Sequence, residues 1–364
     1  MDQGINLMFK NNKKIKICYF GIYNPDFSRN KIYISGFKKN GVEVVECRDR
    51  SGGILKYWRL FKKHWAIRNN YDAMIIGYPG QIIAVFAKLL SKKKVVLDAL
   101  CSLYEAEVIS RNSTRRFYLR GVKIWLIDFF AYLFADMILV ETEAQKQFFI
   151  KKFFVNPAKI AVVYTGADNS LFYPDPSIKK RNKFTAVFRG RFLPEAGVDV
   201  IIKSAKILEN DDIDILIIGS GLLDKEISHV IATIKPKNLS VELRHLSFDE
   251  IRRLMLSCHI SLGQFAAHER LDRTIPHKAF ESLALGLPYL TARAKGILEI
   301  LRDGENCFMT NPADQKDLSE KIMQIKNEFS NVQKIGNNGL DLYKNNFTPD
   351  ILAKKIISLL ENLI

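Results

Sequence analysis

At 364 residues the chain is too long for a typical single domain, and its 48% hydrophobic and 26% charged residues are an ordinary soluble globular composition, so two folded domains are expected. Five cysteines lie far apart with no Cys-x-x-Cys or Cys/His ligand spacing, which argues against a disulfide framework or a zinc site and favours a reducing compartment. The net charge of +16 is lopsided: residues 1–180 hold 30 Lys and Arg against 15 Asp and Glu, residues 181–364 hold 25 against 24. An anionic partner is therefore expected for the first half only, whether nucleic acid, an anionic membrane surface or a phosphorylated acceptor.

In chain order, residues 1–14 are a polar, lysine-rich lead-in without the continuous apolar region of a signal peptide. Strands are predicted at 16–23, 42–46, 71–77, 94–99 and 136–141, with a loop at 24–30 and a helix at 81–90. The apolar run 122–135 is too short to span a bilayer and is interrupted by Lys123 and Asp128, so it reads as a crossover helix buried against a sheet. Residues 54–69 combine Trp58, Phe61 and Trp65 with Lys56, Arg59, Lys62 and Lys63. Aromatics packed on the sheet with solvated lysines outside are the favoured arrangement, and the charge of this half keeps an interfacial helix on an anionic membrane open beside it.

Two prolines and a charge cluster in 169–183 mark a linker. The alternation then restarts with strands at 185–190, 214–219 and 240–243 and helices at 198–208, 222–234 and 249–257; Thr348 and Pro349 cap a final amphipathic helix, 350–364. Strands alternating with helices throughout imply doubly wound parallel sheets in both halves.

The segment 259–292 carries most of the functional signal. Residues 259–265 read as a strand, 276–285 as a helix started by Pro276 and stopped at Gly286, and 288–291 as another strand. Ligands of parallel sheets sit beyond the carboxyl ends of the strands, where unpaired helix N–H groups attract anions. His277, Lys278 and Glu281 fall near that helix start, a set that suits a ligand with both phosphates and hydroxyls, such as a nucleotide sugar. Lys278 and Glu281 taken alone also fit a surface ion pair.

Upstream, Gly190 permits close backbone approach and Arg191 is placed to hold a phosphate, or else both belong to an exposed turn. Gly219-Ser220-Gly221 lacks the third glycine of a dinucleotide fingerprint because Asp224 stands there, so no nicotinamide cofactor is expected; a tight turn against a base or ribose and a plain turn both fit. Asp212-Ile213-Asp214 precedes its strand and falls at the wrong edge of the sheet for a metal–diphosphate site.

Taken in order, residues 165–174 (TGADNSLFYP), Gly190-Arg191 with Pro194-Glu195 and Gly197, Gly219-Ser220-Gly221, and 280–288 (FESLALGLP) resemble the retaining, nucleotide-sugar-dependent glycosyltransferases of GT-B architecture, glycosyl transferases group 1. Tyr23-Asn24-Pro25, Arg29-Asn30 and Asp98 with Ser102-Leu103-Tyr104 resemble a bacterial branch of that family. The resemblance covers roughly residues 15–364. It implies an α/β fold of two Rossmann-like domains facing across a cleft: an acceptor-side domain at 15–170, a linker at 171–183, a nucleotide-sugar-binding domain at 184–347, and a helix at 348–364 crossing back to the first domain.

By the same resemblance Glu281 is the second glutamate of the Glu-x7-Glu signature, which holds the ribose, and Arg191 is the basic residue on the donor diphosphate. Arg191, Lys278 and Glu281 are the expected catalytic residues. The donor side is expected to comprise Gly190, Arg191, Gly219, Gly221, Arg273, His277, Lys278, Glu281 and Ser282, and the acceptor side Arg29, Asp98, Ser102 and Tyr104. Two positions depart from the pattern. The first signature glutamate falls at Arg273, and the basic residue often found before Gly197 is Ala196; Lys278, Arg273 or His277 is left to supply the missing cation.

The implied activity is transfer of a sugar from a nucleotide diphosphate sugar to a hydroxyl of a saccharide or lipid-linked saccharide with retention, in surface polysaccharide synthesis. It would run without a cofactor or divalent metal and without nucleic acid, in the cytoplasm or on the inner face of the membrane. A nucleotide-sugar epimerase and a non-catalytic anion- or nucleic-acid-binding protein are the alternatives.

Overall fold

A computed structural model describes residues 15–110, 118–244 and 246–364; the lead-in 1–14 lies outside the described residues. The first half runs β1 (Lys16–Gly21), α1 (Ser28–Lys39), β2 (Glu43–Arg48), α2 (Leu55–Ile67), β3 (Ala73–Ile76), α3 (Gln81–Leu90), β4 (Lys94–Leu100), α4 (Tyr118–Phe134), β5 (Met137–Val140), α5 (Glu143–Phe153) and β6 (Ile160–Val162). Its strands form a parallel sheet in the order β2-β1-β3-β4-β5-β6. The second half runs β7 (Phe184–Arg189), α6 (Val198–Ile207), β8 (Ile213–Ile218), α7 (Asp224–Ile234), β9 (Leu239–Glu242), α8 (Phe248–Ser257), β10 (Ile260–Leu262), α9 (His277–Ala284), β11 (Tyr289–Ala292), β12 (Phe308–Thr310), α10 (Gln315–Asn327), α11 (Phe329–Asn346) and α12 (Pro349–Leu363). Its parallel sheet has the order β12-β11-β10-β7-β8-β9.

Strands such as β3 (AMII) are apolar throughout because helices cover both faces of each sheet. On the first sheet, α1 and α12 pack on one side and α2 to α5 on the other. The last helix thus crosses back, inserting Leu352, Ala353, Ile356 and Leu360 beside Ile17, Tyr33 and Phe37. Gly36 sets the closeness of that docking: a Cβ there would lie 2.0 Å from the Pro349 carbonyl oxygen. Thr348 occupies the N-cap position of α12, but its side chain makes no capping bond.

Three expectations are corrected. The predicted loop 24–30 gives way at Ser28 to α1, whose Arg29 and Asn30 are buried because they bond inward. Asn30 accepts from the Tyr19 hydroxyl at 3.0 Å and from the Tyr78 N–H. The aromatics of α2 do not pack on the sheet. Leu60 and His64, with Tyr57 and Ile67 beside them, form the inward stripe, while Trp58 and Trp65 are 54% and 55% exposed. Two apolar stripes compete on that helix, and the smaller one fits the sheet.

Finally, α4 is only half buried. Asp128, Ala131 and Tyr132 face inward, whereas Leu119, Val122, Leu126, Phe130 and Leu133 face out. The Asp128 carboxylate accepts the N–H groups of Leu103 and Tyr104 and the Tyr132 hydroxyl, which ties the start of the 101–110 segment to the helix. Burial nonetheless pushes its pKa up to about 7.

Candidate active site

The carboxyl ends of β7, β8 and β10 meet in one place. There Gly190 and Gly219 bring bare backbone together: a Cβ on Gly219 would lie 1.9 Å from the Gly190 carbonyl oxygen, and a Cβ on Gly190 2.7 Å from the Lys278 Nζ. Lys278 therefore reaches under the turn after β7 from the first turn of α9. The N-cap residue of α9 is Pro276, whose side chain offers the first N–H groups no partner.

Within this corner Lys278 and Glu281 are not a surface pair. Both are buried, and the Lys278 Nζ has no hydrogen-bond partner; it sits 3.6 Å from the centroid of the Phe188 ring. Burial, with the nearby Arg189 charge, pushes its pKa well below the ordinary lysine value. A ring face returns only part of what an ammonium loses on leaving water.

Glu281 by contrast is well held. One carboxylate oxygen pairs with Arg189 Nη1, and the other lies 3.3 Å from His277 Nε2. Burial alone would raise its pKa, but the Arg189 and His277 charges outweigh burial and hold it at about 2. His277 Nδ1 is buried without a partner. The corner thus presents an ionised carboxylate with spare lone pairs, an unpartnered lysine amine and a helix N-terminus.

The remaining expected donor residues divide. Arg191 follows the Gly190 turn, is exposed, and makes no ion pair among the described residues, so it is free to meet an anion. Gly219 forms the close approach, and the Gly221 N–H is taken by Asp224 Oδ1 at 2.6 Å. Ser282 faces the wrong way: its hydroxyl is fully buried, donates to the Lys278 carbonyl and lies 2.7 Å from the Ser261 hydroxyl.

Arg273 is drawn across to the other domain. Its Nε meets Glu105 Oε1 at 2.8 Å, its guanidinium covers the Phe148 ring, and its carbonyl accepts from Thr142. Arg270 makes a parallel crossing, pairing with Glu195 at 2.8 Å in its own domain and donating to Ser110 in the other. Further along, the Ile275 N–H donates to Glu141, and Glu299 accepts the first N–H groups of α5. These contacts form a polar joint along the cleft.

The acceptor-side assignment needs correction. Arg29 and Asp98 are fully buried and bonded to each other at 2.8 and 3.0 Å; Arg29 also donates to the Val163 carbonyl and Thr165. Through Thr165 this network reaches Glu141 and so the joint. Ser102 is buried too, its hydroxyl accepting the Glu105 N–H. These three residues shape the cleft from beneath and do not present side chains to it. Tyr104 is partly exposed, with Lys152 over its ring at 4.7 Å.

Sequence reasoning missed Arg189, Glu105, Glu141 and Arg270, and it named Glu195 only as part of a motif, without a role. Arg189 had a visible signal, a cation on the last residue of a strand beside the expected site. The partners of Glu105 and Glu141 across the cleft, Arg273 and Ile275, lie more than a hundred residues away, and no local pattern marks them.

Asp212 and Asp214 lie at the amino end of β8, where Asp214 pairs with Lys183 at 2.8 Å. Among the described residues no group of three or more His, Cys, Asp or Glu is placed to hold a metal ion.

Residues 172–342 match the family model described as glycosyl transferases group 1. An uncharacterized glycosyltransferase of Methanocaldococcus jannaschii, MJ1178, is 27% identical over 183 residues, 50% of this chain and 48% of that protein, so the chain spans about half the length of that relative. CapM of Staphylococcus aureus, a capsular polysaccharide biosynthesis glycosyltransferase, is 23% identical over 279 residues, 70% of this chain and 72% of CapM. In structure, Anabaena HepE (Alr3699), solved in complex with UDP and glucose, matches with a TM-score of 0.71 at 17% identity, over 96% of this chain and 100% of that one. The likeness is one of fold: two Rossmann-like domains in the GT-B arrangement.

Proposed function

We propose that this chain, whose C-terminal domain belongs to the group 1 glycosyltransferases, moves a sugar from a nucleoside diphosphate sugar to a hydroxyl of a saccharide or lipid-linked saccharide, with retention at the anomeric carbon. The observation that carries the reading is the buried, unpartnered Lys278 Nζ beside the ionised Glu281 at the start of α9. The charged form of a buried, partnerless amine is costly, and an arriving diphosphate supplies the partner that stabilises it. Glu281, fixed by Arg189 and His277, keeps lone pairs free to accept from two ribose hydroxyls.

When the bond between the anomeric carbon and the diphosphate oxygen breaks, that oxygen gains negative charge. Lys278, the α9 N-terminus and the exposed Arg191 are placed to meet this charge, the kind of fixed stabilisation that dominates such steps. The acceptor hydroxyl attacks from the same face that the diphosphate leaves, and its proton passes to the departing oxygen. No enzymic nucleophile is invoked, and the cations of this corner do what a divalent metal would otherwise do. The likeness to CapM supports an acceptor in surface polysaccharide synthesis, and the basic first half supports peripheral attachment to the inner face of a membrane.

The test incubates the protein with nucleotide sugars and saccharide acceptors in the presence of EDTA. Nucleoside diphosphate should appear only when an acceptor is present, and proton NMR of the product should show the donor's anomeric configuration. Substrate turned over without acceptor would make the protein an epimerase. An inverted product would refute retention, and activity lost in EDTA and restored by magnesium would refute the metal-free step.

A further inference from the structure

The outer surfaces of α2, α3 and α4 lie side by side on one flank of the first sheet, since all three helices pack on the same core. Tyr57 of α2 and Phe86 of α3 touch edge to face at 5.3 Å, and α3 neighbours α4. What these helices turn outward is unusual for a solvated surface. On α2, Trp58, Phe61 and Trp65 stack in a ladder with centroids 5.8 Å apart at both steps. On α3, Ile82 and Leu89 are exposed. On α4, Leu119, Val122, Leu126, Phe130 and Leu133 recur at helical spacing along the exposed side. Between α3 and α4 runs an apolar groove of about 510 Å³, walled by Ile82, Val85, Val122, Leu126 and Phe130.

Cations border this apolar band. Lys62 lies 5.0 Å from the Trp58 ring centroid and the Arg68 guanidinium 4.0 Å from that of Trp65; Lys123 lines the groove. Beside α2, Arg48 and Arg50 line a second, polar hollow, where Lys63 is paired with Asp49 at 3.0 Å. Exposed apolar residues gathered this densely mark a binding surface rather than a solvated one. Tryptophans with cations beside them, on helices lying flat, suit the headgroup level of a bilayer.

We infer that the α2–α3–α4 flank docks on an anionic bilayer, with the Trp58–Phe61–Trp65 ladder and the α4 stripe entering the acyl boundary and the bordering cations meeting lipid phosphates. The inference deepens the peripheral-membrane part of the proposed function and rests on it. The surplus of 15 positive charges in residues 1–180 supplies the complementarity to anionic headgroups. Helices of a parallel sheet run back from the carboxyl edge, so the amino end of α4 lies at the cleft, near Glu105 and its partner Arg273. A lipid-linked acceptor held in the bilayer would thus present its saccharide beside the site without leaving the membrane. Among the described residues no helix is long and apolar enough to cross a membrane.

Trp58 and Trp65, two of the three tryptophans of the chain, stand exposed on this flank and their fluorescence reports on it, whereas Trp125 packs against Phe153 of the core. The full chain is mixed with phosphatidylcholine vesicles with and without phosphatidylglycerol, and with the same lipids brominated in their acyl chains. Cosedimentation is expected only with phosphatidylglycerol present, with emission shifted to shorter wavelength and quenched by the bromolipids. Trp58→Ser/Trp65→Ser and Leu126→Glu/Phe130→Glu should each weaken vesicle binding about tenfold or more. Both variants should keep the thermal shift given by a nucleoside diphosphate, since none of the four residues belongs to the donor corner.

No binding to phosphatidylglycerol vesicles would overturn the membrane reading itself. Binding that neither double variant weakens would leave that reading standing and overturn this flank as its site. Binding without bromolipid quenching would overturn insertion. Self-association without lipid, lost in the same variants, would assign the flank to a second copy of the chain and overturn the inference.

Discussion

Lys278→Met should raise the melting temperature and abolish most of the activity in one substitution. The Lys278 amine is buried, has no hydrogen-bond partner and rests against the Phe188 ring. Methionine has nearly the same length and fills the same space with no charge to desolvate. Removing a buried amine that has no hydrogen-bond partner should stabilise the ligand-free protein by roughly 1–3 kcal/mol. The same change deletes the cation placed for the departing diphosphate, and loss of one such electrostatic partner costs on the order of 100- to 1,000-fold in kcat. Thermal unfolding without ligand and kcat/KM with the best acceptor check both halves. A melting temperature that falls while activity survives would make Lys278 a structural residue.

Glu281 should behave in the opposite way. Glu281→Ala leaves Arg189 and His277 facing a gap, and stripping one member from a buried ion pair costs about 3–5 kcal/mol. The variant is therefore expected to lose both nucleotide binding and much of its stability; Glu281→Gln, which keeps the shape, is the better probe of chemistry. Acid separates the two effects. The carboxyl titrates at about 2 in the folded protein against an ordinary value of 4.5, so its contribution is complete above pH 4.5 and is lost as the pH falls through about 2. Over that window the wild type should lose on the order of 3 kcal/mol that Glu281→Gln does not. Chemical denaturation of both proteins at pH values from 2 to 7 reads the difference. Parallel curves would mean that the Arg189–Glu281 pair does not hold the corner together.

These contrasting outcomes come from a feature that helical spacing alone could not decide. Three-residue spacing of Lys278 and Glu281 fits a surface pair as well as a site, and only the burial of both separates the two. Alternation of apolar runs with turn residues was enough to place most strands of both sheets and the helix at 81–90, because strands covered on both faces carry a continuous apolar signal. That signal weakened where polar side chains are buried by mutual bonding. Arg29 and Asn30 look like loop residues until Asp98 and Tyr19 are brought beside them.

The choice between stripes on α2 was equally hidden. Trp58, Phe61 and Trp65 carry more apolar surface than Leu60 and His64, and burial of the larger stripe is the natural guess. The smaller stripe is the one that meets the core, with Tyr57 beside it against Phe86 of α3. Residue 273 shows the limit most plainly. Its departure from the family signature is visible in the sequence, whereas its partner Glu105 is 168 positions away in the other domain. The charge change at this position is answered across the cleft and not at the donor corner.

The most direct test of the donor corner is thermal unfolding of the wild-type protein with UDP, GDP, ADP, dTDP and their sugar conjugates. A ligand at about 100 times its dissociation constant adds roughly 2.7 kcal/mol to the folded state, enough to move the transition by several degrees. One nucleoside diphosphate and its sugar conjugate should stabilise the wild type, and the shift should vanish in Lys278→Met. If no nucleotide stabilises the wild type, the corner built by Arg189, Lys278 and Glu281 is not a donor site, and the proposed transfer reaction falls with it.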